Sequence, residues 1–208
     1  MKNQEGNYWD SFVKFKFDYD KRNQKFQTTD GFRSVYYLNL PIVSDTNTLK
    51  NTYDYKYFTE LYEENITSLS LYLGSANSIN NKDVKLSERL NIPSSRLRGF
   101  EYGKVGPKDG PDYIGGNYIS ALNLSSTLPK FFENAQNVDF LAFIDAANVW
   151  GVDYDSSIDD SNKIRSSYGV GVDWFTPIGP LSFSFSQTLT KASTDETESF
   201  RFDLGTTF

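Results

Sequence analysis

Apolar and polar residues alternate along most of this chain, and that period of two limits the fold more than any other feature. In SFVKFKFDYD, Val13, Phe15, Phe17 and Tyr19 fall on one side of an extended backbone, and Lys14, Lys16, Asp18 and Asp20 on the other. Successive side chains of a strand point to opposite faces, so such a run builds a strand with two unlike faces. Eight further runs repeat the pattern: GFRSVYYLNL from 31, TYDYKYFTELY from 52, ITSLSLYLGS from 66, NYISALNLSST from 117, VDFLAFIDAANVW from 138, RSSYGVGVDWF from 165, GPLSFSFSQTL from 179 and SFRFDLGTTF from 199. Helical spacing of apolar residues is nearly absent. The sequence predicts an all-β, antiparallel fold forming one domain over residues 1–208.

Each run is about ten residues long, the reach of a tilted strand across a bilayer. A soluble two-sheet sandwich alternates in the same way. Two features favour a transmembrane β-barrel. Tyr53, Tyr118, Trp174 and Phe208 stand near strand ends, where interfacial aromatic girdles lie. Connections are short at 63–65 and 176–180 but long and polar over 76–116 and 151–164, which matches the two unlike ends of an outer-membrane barrel. Mean hydropathy is −0.53, and no apolar run approaches the roughly 20 residues of a membrane helix. Alternating strands average to mild values and escape that test. The opening MKNQEGNYWD lacks the apolar centre of a signal peptide.

The sequence contains no His and no Cys. That removes His-based acid–base catalysis, Ser-His-Asp and Cys-His nucleophiles, and the usual zinc sites. A net charge of −6 and a pI near 4.8 argue against nucleic acid as a partner. Asp54, Glu60 and Asp203 read as scattered charges on polar strand faces rather than an acid–base pair. The acidic run GVDYDSSIDDSNK, 151–163, lacks the glycine and terminal glutamate of a calcium loop and is expected to be a solvated surface loop. No enzymatic activity, cofactor or metal is expected.

One stretch fits neither period. RLRGFEYGKVGPKDGPDYIGGN, 96–117, holds six glycines and two prolines around an Arg-Gly-Phe core. On its residues alone, an arginine in such a loop reads as a solvated one. Taken with three later pieces, however, the stretch resembles a known family. LRGF at 97–100, GPKDGPDYIGGN at 106–117, FIDAANVW at 143–150, YGVGVDWFTPIGPLSFSFSQTL at 168–189 and FRFDLGTTF at 200–208 are similar to the C-terminal barrel of the BamA-like outer-membrane protein assembly factors. The wider insertase superfamily includes TamA-like factors and two-partner secretion transporters. The resemblance is dense over about 90–208. Over 10–90 it rests on strand rhythm and a TTDGFR strand opening.

The resemblance implies a sixteen-stranded barrel in the bacterial outer membrane, preceded by periplasmic POTRA modules. These nine strands are then the last nine, and the POTRA modules and N-terminal strands are expected to be absent. A sheet left open exposes two unpaired edges that hydrocarbon does not tolerate. The implied function is folding and inserting nascent outer-membrane proteins, with those proteins, outer-membrane lipids and POTRA-bound lipoproteins as partners. Translocation of the TamA or two-partner kind and a passive porin are the alternatives.

The resemblance also implies a site. The long loop folds into the barrel, and its tip Leu97, Arg98, Gly99 and Phe100 docks on the inner wall. The implied wall partner is Asp145, whose parity with Asp139 and Phe143 opposes the apolar Ile144. Gly115, Gly116 and Asn117 return the loop to the wall. In relatives a second acidic group meets the arginine, and the matching position here is Ser125. The C-terminal run Phe200, Phe202, Leu204, Gly205 and Phe208 resembles an outer-membrane recognition signal on a last strand that pairs weakly.

Overall fold

In a computed structural model the described residues are 6–62, 65–129, 137–159, 163–177 and 179–205. All nine alternating runs are strands of one antiparallel sheet. In chain order they are β1 (Asp10–Asp20), β2 (Gly31–Ser44), β3 (Thr48–Tyr62) and β4 (Asn65–Ser78), then, after a small hairpin of β5 (Lys108–Asp109) and β6 (Asp112–Tyr113), β7 (Tyr118–Thr127), β8 (Val138–Trp150), β9 (Arg165–Thr176), β10 (Gly179–Thr190) and β11 (Phe200–Leu204). The sheet order is β1-β2-β3-β4-β7-β8-β9-β10-β11. Apart from the β5–β6 hairpin, each strand therefore pairs with the next along the chain, and among the described residues β1 and β11 are the open edges. No helix of the described residues is long and apolar enough to cross a membrane.

The register explains the two faces. One row crosses eight strands: Asp20, Arg33, Lys56, Ser70, Asn123, Asp145, Ser167 and Thr188 lie side by side. Every member is polar, and this row marks the inner face. The opposite face presents Phe15, Leu69, Leu122, Ile144, Val170 and Phe202, each about half exposed. Among the described residues no second sheet covers these side chains, as one would in a sandwich. A continuous exposed apolar band of this kind suits lipid rather than water.

Four expectations need correction. β4 runs on to Ser78 and Ala76 is fully buried opposite Lys50, so the long loop spans 79–117 rather than 76–116. That loop is not patternless. It holds two 3-10 turns, Leu86–Glu88 and Ser94–Arg96, and the β5–β6 hairpin turning at Gly110. The two ends of the sheet also do not divide cleanly into short and long connections. The end bearing the long loop has a three-residue turn at 45–47, and the opposite end has the ten-residue link 21–30. Hairpin closure grows only slowly costlier with length, so length alone does not assign an end.

The fourth concerns the inner face, which is not polar throughout. Ile119 and Ala121 of β7 and Ala147 and Val149 of β8 point inward and are buried beneath Ile92, Leu97, Phe100 and Val105 of the long loop. This cluster is the core of the molecule. The loop supplies its other half, which removes the reason for those wall positions to be polar.

Candidate docked-loop site

The loop enters from β4, crosses the inner face and returns through Gly115 and Gly116. Gly115 has φ +65, and a Cβ there would lie 2.5 Å from the Leu90 carbonyl oxygen. At Gly116 it would lie 2.4 Å from the Trp150 carbonyl oxygen. Leu90 and Gly116 exchange backbone hydrogen bonds of 2.8 and 2.9 Å, closing the neck of the loop. Asn117 then donates its backbone N–H to Gly151 and accepts from Ala76, so it joins the two walls beside the neck.

At the far reach of the loop, Arg98 meets Asp145. Nε donates to Oδ2 at 2.7 Å, Nη2 to Oδ1 at 2.7 Å, and the Arg98 backbone N–H to Oδ2 at 3.1 Å. The carboxylate is fully buried and the guanidinium is 2% exposed. Asn123 donates a fourth bond to Asp145 Oδ1 at 2.9 Å and a second to the Arg96 carbonyl at 2.8 Å. Ser167 donates to the Arg98 carbonyl. The Arg98 guanidinium also stacks 3.4 Å from the centre of the Phe143 ring. A two-pronged pair with further donors on the carboxylate is the arrangement that makes a buried ion pair tolerable. It also selects Arg over Lys, because only a planar fork both stacks and grips two oxygens.

Gly99 turns the tip at φ +88, with Ser167 and Ser186 packed where a side chain would stand. Phe100 is 1% exposed and fills the core cluster just described. Ser125, the position matched to an acidic group in relatives, does not reach the tip. Its hydroxyl shares a 2.9 Å hydrogen bond with Ser68. The neighbour of Asp145 on β7 is Asn123, which keeps the hydrogen bond without a second negative charge.

Sequence reasoning missed several other anchors. Arg96, immediately before the tip, pairs with Asp54 of β3 and lies over Tyr72. Arg165 of β9 is 3% exposed and grips Asp195 at 2.9 and 3.2 Å while donating to Asn148. Asp195 in turn accepts from the Gly106 N–H of the long loop at 3.2 Å. Arg89 pairs with Asp153 at 2.6 Å, and Asp153 also accepts from Val84 N–H and the Asn117 side chain.

These contacts correct the reading of 151–163 as wholly solvated. Asp153 ties the segment to the long loop, and Tyr154 donates to Asp109 at 2.8 Å. Burial, reinforced by that carboxylate, pushes the Tyr154 hydroxyl up to about 12. Asp155 and Asp159 stay exposed, as expected of a surface loop.

Of the C-terminal run, Phe200, Phe202 and Leu204 face outward, and Gly205 donates its N–H to Pro180 at 2.8 Å. Phe200 and Phe202 stack on Phe185 and Phe183 of β10 with ring centres 5.0 and 5.1 Å apart. Phe208 lies outside the described residues. Asp54 is taken up by Arg96, and Asp203 lies opposite Ser182. Below the tip, an open cavity of about 670 Å³ is lined by Arg22, Arg33, Asp54, Lys56, Asp139 and Asp173 among others. Among the described residues no group of acidic side chains is arranged to hold a metal ion.

The comparisons agree with one another. The Omp85 superfamily domain profile matches residues 1–208. The chain is 32% identical over 139 residues to the outer membrane protein assembly factor BamA of Neisseria meningitidis, covering 54% of this chain and 17% of that protein. It is 24% identical over 211 residues to BamA of Nitratidesulfovibrio vulgaris, covering 98% of this chain and 26% of that protein. A SAM50-like protein of Schizosaccharomyces pombe is 31% identical over 137 residues, covering 62% and 28%. The crystal structure of BamA from Haemophilus ducreyi lacking POTRA domains 1–3 superposes with a TM-score of 0.83 at 27% identity, over 91% of this chain and 41% of that one. The chain thus spans well under half the length of the relatives it matches.

Proposed function

The chain belongs to the Omp85 superfamily of outer-membrane proteins, and from that premise we propose that it serves in assembling other β-barrels, folding and inserting nascent outer-membrane proteins. In this reading it is a non-enzymatic part of an insertase whose further strands complete a sixteen-stranded barrel. Its partners are membrane lipids, client strands and, through POTRA modules, accessory lipoproteins. The single observation that carries the proposal is the buried Arg98–Asp145 pair, which fixes the long loop against the inner wall. A wall held this way keeps its shape while a neighbouring edge moves. β11 supplies such an edge: among the described residues it is five residues long and its only strand partner is β10. An incoming strand adds to an open edge through main-chain hydrogen bonds, with alternate side chains setting its register.

The test is genetic and biochemical. In cells depleted of their own copy, Arg98→Ala and Asp145→Asn in the longest form the gene encodes lower the amount of folded, heat-modifiable client barrels. Normal client levels with both variants overturn the reading. A large steady conductance in planar bilayers, with normal clients, indicates a passive pore instead. Loss of one secreted partner alone indicates a translocation factor.

A further inference from the structure

Arg201 is the odd residue of β11. The strand is an open edge whose other described side chains are mostly exposed: Phe200 at 48%, Phe202 at 49% and Leu204 at 62%. Arg201 is 8% exposed and points inward. Its Nη2 donates to the carbonyl of Phe100 at 2.5 Å and its Nη1 to the carbonyl of Ser94. These two carbonyls bracket the loop tip on either side of Arg98. Glu198 holds Nε at 2.5 Å and so aims the fork.

The main chain repeats the connection. Thr197 pairs with Phe100 as an isolated antiparallel bridge. Glu198 N–H donates to Gly99 O, Glu101 N–H to Glu196 O, and Glu196 N–H to Lys104 O, at 3.0 to 3.2 Å. The segment leading into β11 therefore forms a short ladder with residues 99–104, and Arg201 locks its end.

We propose that Arg201 is a latch joining the last strand of the sheet to the docked loop tip, so that β11 cannot leave β10 without loosening residues 94–104. A guanidinium suits the task. It carries separate donors for two carbonyls and a carboxylate, whereas an ammonium is a single point on a flexible stem. Buried as it is, the charge is stabilised only while all three acceptors stay in place. The two elements then form one coupled unit, and coupling of this kind is reciprocal. The latch is a property of the fold. Its service in opening an edge for client strands rests on the function proposed above.

Hydrogen exchange followed by mass spectrometry tests the latch on the longest form the gene encodes, in detergent micelles. In Arg201→Ala, peptides covering 94–104 and 199–204 exchange about tenfold faster, the loss of roughly one charged hydrogen bond. Peptides of β3 and β4 keep their rates. Arg201→Lys does not restore protection at 94–104, and Glu198→Gln gives a smaller acceleration at the same two places. In the reverse direction, Arg98→Ala speeds exchange in 199–204. If Arg201→Ala fails to fold, Glu198→Gln and Arg98→Ala carry the same comparison. Acceleration confined to 199–204, an unchanged β11 in Arg98→Ala, or equal acceleration in β3 and β4 overturns the latch. Client assembly is not read in this experiment, so its outcome is separate from that of the proposed function.

Discussion

The ring of Phe143 lies in the space that a side chain on Gly169 would need: a Cβ at 169 would sit 2.6 Å from the ring edge and 2.1 Å from the Phe185 carbonyl oxygen. The glycine on β9 thus makes room for a platform on β8, and Arg98 stacks on that platform. Gly169→Ala displaces the ring or the strand, at a cost of about 1–3 kcal/mol as for other overpacked sites. Urea unfolding in detergent measures the loss. The same substitution at Gly171, where the nearest contact is the flexible Leu141 side chain at 3.0 Å, costs less. Equal stability of the Gly169 variant and the parent defeats the platform.

Breaking the tip pair is more damaging. Removing one partner of a buried pair leaves the other charge stranded, at about 3–5 kcal/mol. Asp145→Ala strands Arg98 and undocks the tip, which exposes Arg96 and Arg98 to trypsin. The parent, with Arg98 2% exposed, resists cleavage there. Arg98→Lys keeps the charge but loses the fork, so its cleavage rate falls between the two. A cleavage pattern in Asp145→Ala identical to the parent removes the pair as an anchor.

Asp195 holds two elements at once, Arg165 on β9 and Gly106 on the long loop. Asp195→Asn leaves the Arg165 guanidinium with Asn148 and a carbonyl, but no opposing charge. Trypsin then cuts at Lys104 and Lys108 sooner than in the parent, while Arg98 stays protected by Asp145. Protection at all of these sites in the variant shows that the second anchor is dispensable.

Tyr154 gives a pH signature. Its folded pKa, about 12, lies above the ordinary value near 10. The neutral hydroxyl is therefore favoured in the folded chain, and its contribution to stability is complete below about pH 10 and lost as pH rises through about 12. The absorbance titration at 295 nm of the parent minus that of Tyr154→Phe isolates one ionisation near 12. Asp109→Asn shifts it downward. A difference titration centred near 10 places Tyr154 away from Asp109.

The strands were legible because they rest on local alternation, whereas the Arg98–Asp145 pair was legible only through the family resemblance. Alternation places Asp145 inward and Ile144 outward whatever the sheet does, and the LRGF context marks the arginine. Asn123, Ser167 and Phe143 were legible only as inward residues. Nothing in their identity says which stretch of wall the loop touches, since that depends on register between strands far apart in sequence. Arg165, Asp195 and Arg201 carry no local signature at all. They are common polar residues with decisive partners far off in sequence, 30 residues apart for Arg165 and Asp195 and 107 for Arg201 and Ser94. One hint was available: Ala147 and Val149 are inward yet apolar, a break in the alternation that signals something dry lying over them. The acidic run 151–163 misled because composition reports average charge, whereas one carboxylate, Asp153, decides where the segment rests.

Between Lys50 and Asp54 on β3 and Arg201 on β11, the long loop touches all seven strands of that span. It runs like a chord across an arc, and a chord of fixed length sets the bend of the arc it subtends. Flattening or tightening this part of the wall requires the chord to lengthen or slacken at one of its knots. Its radius is therefore written into a segment that is itself neither strand nor helix for most of its length.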